Sequence, residues 1–305
     1  MGSYDEFEKW LKDHYPAGLV RFQEPMRLHT TFGVGGPARY MVMPCGPDEI
    51  TEVIRWCRRL ELPWFVMGNG SNLLVSDHGY DGVILKLGRQ YGTVCAEEDR
   101  LHAQSGAMLT RMARLAAEKG LAGLAFAAGI PGTLGGGLMM NAGAYGGELS
   151  QIVERVQVLD QEGRIRELTG EQMGFGYRTS ILGKESLIAL AADLRLKPGD
   201  QEKILAEMDE LNRKRKEKQP LEYASAGSTF KRPEGYFAGR LIEDAGLKGF
   251  TVGDAQVSEK HCGFIINRGE ATAGQIWDLC RIVQERVYGL FHVELQMEVR
   301  LLGKF

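Results

Sequence analysis

Residues 123–147 read GLAFAAGIPGTLGGGLMMNAGAYGG without a charged side chain until Glu148. Eight glycines fall between Gly129 and Gly147. A flexible linker mixes glycine with serine and charge. Here the glycines alternate with Ala, Leu, Met, Ile and Phe, so the segment reads as buried. A buried backbone with so few side chains leaves N–H groups that need partners. Two readings follow. A large flat or anionic ligand lies against the main chain, which only glycine lets approach so closely; or the glycines serve a tight turn and a close helix–sheet contact.

The rest of the chain bounds which ligand this is. At 305 residues it has room for two or three domains of about 100–150 residues each. A net charge of −3 offers no general attraction to nucleic acid. No apolar run has the ~18–20 residues of a membrane span, and no signal-peptide apolar region opens the chain. The five cysteines, Cys45, Cys57, Cys95, Cys262 and Cys280, form no CxxC pair and no cluster with histidine. A reducing compartment, a cytoplasmic location and no structural metal are expected.

Apolar spacing predicts a helix over residues 5–14, and a second from an Asp48 cap through residue 60 with Ile50, Val53, Ile54 and Cys57 on one face. Gly33 to Ala38 fits G-x-G-x-x-A, but a proline and a strand follow it, whereas a dinucleotide fingerprint opens a helix. The strand at 63–67 runs into Gly68-Asn-Gly-Ser-Asn72, which is either an anion-binding nest of amides or an ordinary hairpin turn. Strands follow at 82–87, 92–96 and 101–105, then a helix at 108–119 stopped by Gly120. Beyond the glycine-rich stretch come strands at 152–159, 164–168 and 187–196. Asp200 caps a helix bearing Ile204, Leu205, Met208 and Leu211 and ending in the basic run 213–218. That run is either a solvated helix end or a contact to a polyanionic substrate. Helices are expected near 237–245 and from a capping box Thr272-x-x-Gln275, with strands near 264–267 and over 293–302.

No P-loop, HExxH or GxSxG is present, which disfavours phosphoryl transfer, zinc proteolysis and α/β-hydrolase chemistry. Six motifs do stand in order: LHTTFGVGGPARY at 28–40, MGNGSNLLV at 67–75, AGIPGTLGGGLMMNAGAYG at 128–146, GYRTS at 176–180, AGSTFKR at 226–232 and EVR at 298–300. Together they resemble the UDP-N-acetylenolpyruvoylglucosamine reductase (MurB) family of flavoenzymes, from about residue 20 to the C-terminus. The resemblance implies an α+β protein with a two-subdomain FAD-binding module of the PCMH/VAO type and a C-terminal α+β substrate-binding domain. The boundaries drawn are 1–88, 89–198 and 199–305. It implies FAD contacts from Gly68, Asn69, Gly70, Ser71 and Asn72, and from Gly129, Gly132, Thr133, Gly136, Gly137 and Ala142. Neither loop holds His or Cys, so non-covalent FAD is expected.

The implied reaction reduces an enolpyruvyl ether to a D-lactyl ether in peptidoglycan precursor synthesis, with NADPH as co-substrate and hydride delivered from flavin N5. Addition leaves negative charge beside the carboxylate, which needs cationic stabilisation. By resemblance Arg178 supplies it, suited by its planar fork. Glu298 would steady the enolic form, and a carboxylate placed there is expected to have a raised pKa. Ser228 would protonate the α-carbon, while Tyr177 and Lys231 would contact substrate. Read without the resemblance, Arg178 fits a structural ion pair and Ser228 a turn. The short run from Gly176 to the strand at 187–196 leaves little room for the inserted tyrosine-bearing lid of the longer subclass, so the chain resembles the shorter, lid-lacking form. Monomer or weak oligomer is expected. Two other hypotheses keep the flavin loops or the scaffold: another PCMH-type dehydrogenase or oxidase, and a non-catalytic nucleotide-sugar binder.

Overall fold

The computed structural model describes residues 2–305. The chain divides into two compact units, each assembled from separated segments. The first takes the N-terminal residues to Phe22, Tyr40–Asn69 and Gly82–Arg215; the second takes Gln23–Arg39, Gly70–Asp81 and Lys216–Phe305.

The first unit holds two hydrophobic clusters. One gathers Phe7, Trp10 and Leu11 of helix Ser3–His14 with Ile50, Val53, Ile54 and Cys57 of helix Pro47–Arg59. They pack with Val83 and Leu85 of strand Tyr80–Lys86, which pairs in parallel with Trp64–Met67. The apolar face of the second helix is as expected, but its cap is not Asp48. Gly46 is the N-cap and Pro47 takes the first helical position, where its missing N–H costs nothing, so Asp48 falls inside the first turn. The other cluster lies under an antiparallel five-stranded sheet ordered Ile165–Thr169, Val153–Leu159, Ile188–Arg195, Arg100–Gln104, Val94–Glu97. Against it pack Leu109, Met112, Ala113, Ala116 and Ala117 of helix Leu109–Glu118, and Ile204 and Met208 of helix Gln201–Lys218. Asp200 Oδ1 accepts from Lys203 N–H at 3.1 Å, the capping expected of it.

The second unit folds around a four-stranded antiparallel sheet ordered Ala224–Ser225, Ile265–Asn267, Ala255–Val257, Thr251–Val252. Helix Ala273–Phe291 buries Ile276, Leu279, Cys280 and Val283 in its core. Thr272 and Gln275 form the predicted capping box, and Asp77 adds a cap from far away in sequence. Its two carboxylate oxygens accept the N–H groups of Ala273 and Gly274, each at 2.8 Å. Leu73–Val75 pairs in parallel with the last strand, Arg300–Leu302. The strand expected over 293–302 is therefore shortened. Its alternation is real, with Leu295 and Val299 buried, but residues before Arg300 bond irregularly to 229–231 instead of joining a regular ladder.

Among the described residues no helix is long and apolar enough to cross a membrane, and the five cysteines are unbridged.

On the five-stranded sheet Glu154 accepts from Arg100 at 2.8 and 3.1 Å and from Arg195 at 3.0 Å. The Arg100 hydrogen bonds, then those of Arg195, hold its carboxyl at about 2, against 4.5 ordinarily. A depressed folded value stabilises above the unfolded pKa and is lost as pH falls through the folded one. Acid titration of wild-type stability should therefore slope between 4.5 and about 2. Glu154→Gln should flatten that slope and leave the remainder of the profile, as followed by denaturant midpoints at each pH.

Candidate active site

The turn at 68–72 is not a hairpin. Trp64–Met67 pairs with Tyr80–Lys86 and Leu73–Val75 with Arg300–Leu302, so the strands flanking the turn do not pair with one another. Two contacts fasten its first residues to the loop at 131–133. Asn69 Nδ2 donates to Pro131 O at 2.7 Å. Gly68 stands so close to Thr133 that a Cβ there would overlap Thr133 Oγ1. Thr133 is itself buried and caps helix Leu134–Met139.

This meeting concentrates donors. Among the described residues, no backbone carbonyl accepts from the N–H groups of Gly68, Asn69, Gly132, Thr133 or Gly136. The same is true of Gly70 and Ser71, with which the turn runs on. Gly132 and Thr133 are buried. Leaving a buried N–H unmet costs about 1–3 kcal/mol, so a run of them calls for an acceptor from outside the chain. A dinucleotide pyrophosphate and the carbonyl-rich edge of an isoalloxazine present acceptors of the right kind, and neither loop carries an acidic side chain to oppose them. The residues fit FAD.

The glycines of this stretch serve two purposes. A Cβ at Gly137 would come within 2.9 Å of Leu149 Cδ1, one at Gly135 within 3.0 Å of Ser105 Cβ, and one at Gly147 within 2.5 Å of the Phe126 ring. These positions are filled by protein, the close packing offered as the alternative. Gly129 belongs with them: its Cβ would meet Arg215 Cδ and Asn212 Oδ1 at 2.9 Å. Gly136 differs, for it is exposed and meets nothing nearer than Thr133 Oγ1 at 3.7 Å. Gly137 and Ala142 have their N–H groups committed to Thr133 O and Gly137 O. The open donor face is thus Gly68, Asn69, Gly132, Thr133 and Gly136.

Within the basic run, Arg213 and Lys214 pair with Glu210 at 2.8 and 3.3 Å. Arg215 turns inward against Gly129 instead, and burial pushes its pKa down, opposed by Tyr145.

Arg178 and Tyr177 form the tip of a two-residue turn in the first unit. Gly176 and Thr179 close it by exchanging N–H···O bonds of 3.1 and 3.3 Å. Arg178 has φ +55°. For a non-glycine residue this left-handed backbone costs about 1–3 kcal/mol and persists only where the surroundings impose it. The Arg178 guanidinium lies 5.3 Å from the centre of the Tyr177 ring, and Tyr177 is exposed.

Ser228 and Glu298 belong to the second unit, where one residue joins them. Thr229 is fully buried. Its N–H donates to Gly263 O at 2.9 Å, its Oγ1 accepts from Ile265 N–H at 3.0 Å, and its carbonyl accepts from Glu298 N–H at 2.9 Å. The Phe230–Met297 bridge sets the register, so Glu298 lies opposite Thr229 and one step from Ser228. Asn72, expected only as an amide donor, also braces this junction: its Nδ2 donates to Glu298 O at 3.0 Å and its carbonyl accepts from Arg300 N–H at 3.1 Å. Lys231 is fixed by its own N–H to Gln296 O at 2.8 Å. Thr229 and Asn72 were not foreseen in these roles; the AGSTF and NGSN motifs contained them, but nothing in their types marks the partner.

The donor-rich meeting of two glycine loops makes this a flavin-nucleotide-binding protein, and a family profile described as FAD binding domain matches residues 38–169. A second profile, UDP-N-acetylenolpyruvoylglucosamine reductase, C-terminal domain, matches residues 219–302. The UDP-N-acetylenolpyruvoylglucosamine reductase of Clostridioides difficile (strain 630) is 48% identical over 93% of this chain and 94% of its own. That of Clostridium botulinum (strain Hall) is 48% identical over 100% and 99%. The crystal structure of the reductase from Thermus caldophilus matches with a TM-score of 0.80 and 37% identity, over 93% of this chain and 98% of that one. The chain belongs to the UDP-N-acetylenolpyruvoylglucosamine reductase family. Its fold is α+β, an FAD-binding module followed by the family's C-terminal domain.

Gly68→Ala should collide with Thr133 Oγ1 and part the two loops. The purified variant is expected to lose most bound flavin, read from its visible absorbance. Adding Thr133→Ala removes the obstructing oxygen and should restore part of it.

Proposed function

We infer that this chain is an FAD-dependent oxidoreductase that uses NADPH to reduce UDP-N-acetylglucosamine enolpyruvate to UDP-N-acetylmuramate. What carries this reading is that the chain matches reductases of that name end to end. The residues that the reaction calls for stand in the family's motifs, at Arg178, Ser228 and Glu298.

The amides of Gly68, Asn69, Gly70, Ser71, Gly132, Thr133 and Gly136 would hold FAD, with Asn72, Gly129, Gly137 and Ala142 shaping the loops. When bound, FAD supplies the hydride, received from NADPH, that adds to the substrate's methylene carbon. Every other demand falls on the protein. Addition at that carbon sends an electron pair onto the α-carbon and its carboxylate, and Arg178 holds this charge with a fork matched to two oxygens. The strained backbone of Arg178 supports that assignment, because such strain gathers where side-chain placement matters to function. The Ser228 hydroxyl gives its proton to the α-carbon, setting the lactyl stereocentre. A serine hydroxyl is a weak acid, so register does the work: the proton must be held within reach as the carbanion forms. Glu298, whose backbone is fixed one step away through Thr229, is assigned to steady the enolic form. Tyr177 and Lys231 are assigned to substrate binding, Lys231 at the diphosphate.

The finer readings rest on the same basis. Only helix Ile181–Lys184 lies between the Arg178 turn and strand Ile188–Arg195, which supports the lid-lacking subclass. The three-part division at 1–88, 89–198 and 199–305 is kept as the functional one. A nucleotide-sugar substrate, NADPH and five unbridged cysteines support a cytoplasmic location and a role in cell wall biogenesis, cell shape and cell division. The protein is expected to act as a monomer or weak oligomer, without nucleic-acid or membrane partners.

NADPH oxidation by the FAD-loaded protein should depend strongly on the enolpyruvyl substrate and yield the lactyl ether. Substrate-independent oxidation would replace this reading with that of a flavoenzyme having another acceptor. In Ser228→Ala, NADPH should still bleach the flavin. Reoxidation by substrate should fall by roughly 10²–10⁴-fold, the usual worth of a positioned proton donor. Unchanged turnover would remove Ser228 from the reaction.

A further inference from the structure

Asn141 lies within the glycine-rich stretch and is buried to 2% exposure, with φ +44°. Asparagine is one of the few residues that enter this left-handed region readily, though glycine enters it more easily still. In a segment with glycine at eight positions, a glycine here would have served the backbone alone. The asparagine side chain does more. Its Oδ1 accepts from Ser150 N–H at 2.9 Å, and its Nδ2 donates to Gly176 O at 3.4 Å. Both partners are main-chain groups of fixed polarity, so the amide has one consistent orientation, and the Ser150 bond holds it there.

Gly176 is the residue that closes the Arg178 turn by its two bonds with Thr179. The same turn has a second tie to the glycine-rich stretch, from Ser180 Oγ to Met139 O at 3.1 Å. The arginine's strained backbone is therefore clamped, through Gly176 and Ser180, onto the end of the segment that carries the flavin-facing amides. We propose that Asn141 is a positioning residue, which fixes the Arg178 turn relative to the flavin-binding loop so that the guanidinium meets the substrate carboxylate in register. This rests on the assignment of Arg178 to that carboxylate.

Asn141→Asp separates the two bonds. Aspartate tolerates the same backbone and still accepts from Ser150, but it places an acceptor where Gly176 O needs a donor. The FAD-loaded variant should retain its flavin and be reduced by NADPH at a rate within about twofold of the parent, while reoxidation by the enolpyruvyl substrate slows about tenfold or more. Asn141→Gly, which keeps the backbone and loses both bonds, should slow reoxidation at least as much. In an Arg178→Ala background Asn141→Asp should change reoxidation by less than about twofold, because residues acting through one another are not additive. Full additivity in that background, or an equal slowing of both half-reactions, would overturn the proposal, as would loss of flavin from both Asn141 variants. Normal reoxidation in Asn141→Asp alongside a defective Arg178→Ala would sink the proposal and leave the reading of Arg178 standing. Normal reoxidation in Arg178→Ala itself would sink both.

Discussion

The absence of a Cβ at Gly68 lets two loops far apart in sequence share one surface. Thr133 Oγ1 occupies the space that any side chain at Gly68 would need, and the Asn69–Pro131 hydrogen bond locks the approach. From this contact follow the donors left without backbone acceptors, and from those follows an anionic, flat ligand. The energetic argument is one of avoided cost. Neutral amides bought out of water must find acceptors, and a pyrophosphate that accepts several at once repays their burial without introducing a competing cation.

The residues proposed for the chemistry are mounted on backbone junctions. Ser228 and Glu298 share Thr229, whose carbonyl, amide and hydroxyl are all bonded. Arg178 sits on a turn closed by Gly176 and Thr179. In both places the side chain proposed to react has a hydrogen-bonded neighbour, which fixes its origin to a tolerance that side-chain packing alone would not give.

Much of this was legible in the sequence. Apolar spacing placed the buried faces of helices Ser3–His14 and Pro47–Arg59, and Asp200 and the Thr272–Gln275 pair announced their helix starts. Where reading failed, two local signals competed. Asp48 is a good capping residue, yet Pro47 before it is a better first helical residue. The alternation of residues 293–299 was a true record of burial, but burial does not reveal whether a neighbouring segment is regular enough to form a ladder. The glycines pose the hardest case. Gly136 facing open space and Gly137 facing Leu149 are adjacent and identical as letters, and only their surroundings in the fold separate them. Asn141 was hidden for a similar reason, since its partner Gly176 is 35 residues away.

The discontinuity of the second unit has a consequence for how the chain reaches its folded state during synthesis. Its core draws on Phe32, Val34 and Leu74 as well as on residues beyond 216, and Leu73–Val75 finds its partner only in Arg300–Leu302. Those early segments leave the ribosome long before their partners exist. The capping box of helix Ala273–Phe291 can form as soon as its own residues emerge, whereas the Asp77 cap spans 196 residues and waits for a long loop to close. The first unit has all its residues once Arg215 is made, so it can fold while the second is still incomplete. Completion of the second unit thus waits on Arg300–Leu302, since strand Leu73–Val75 has no ladder partner until they are made.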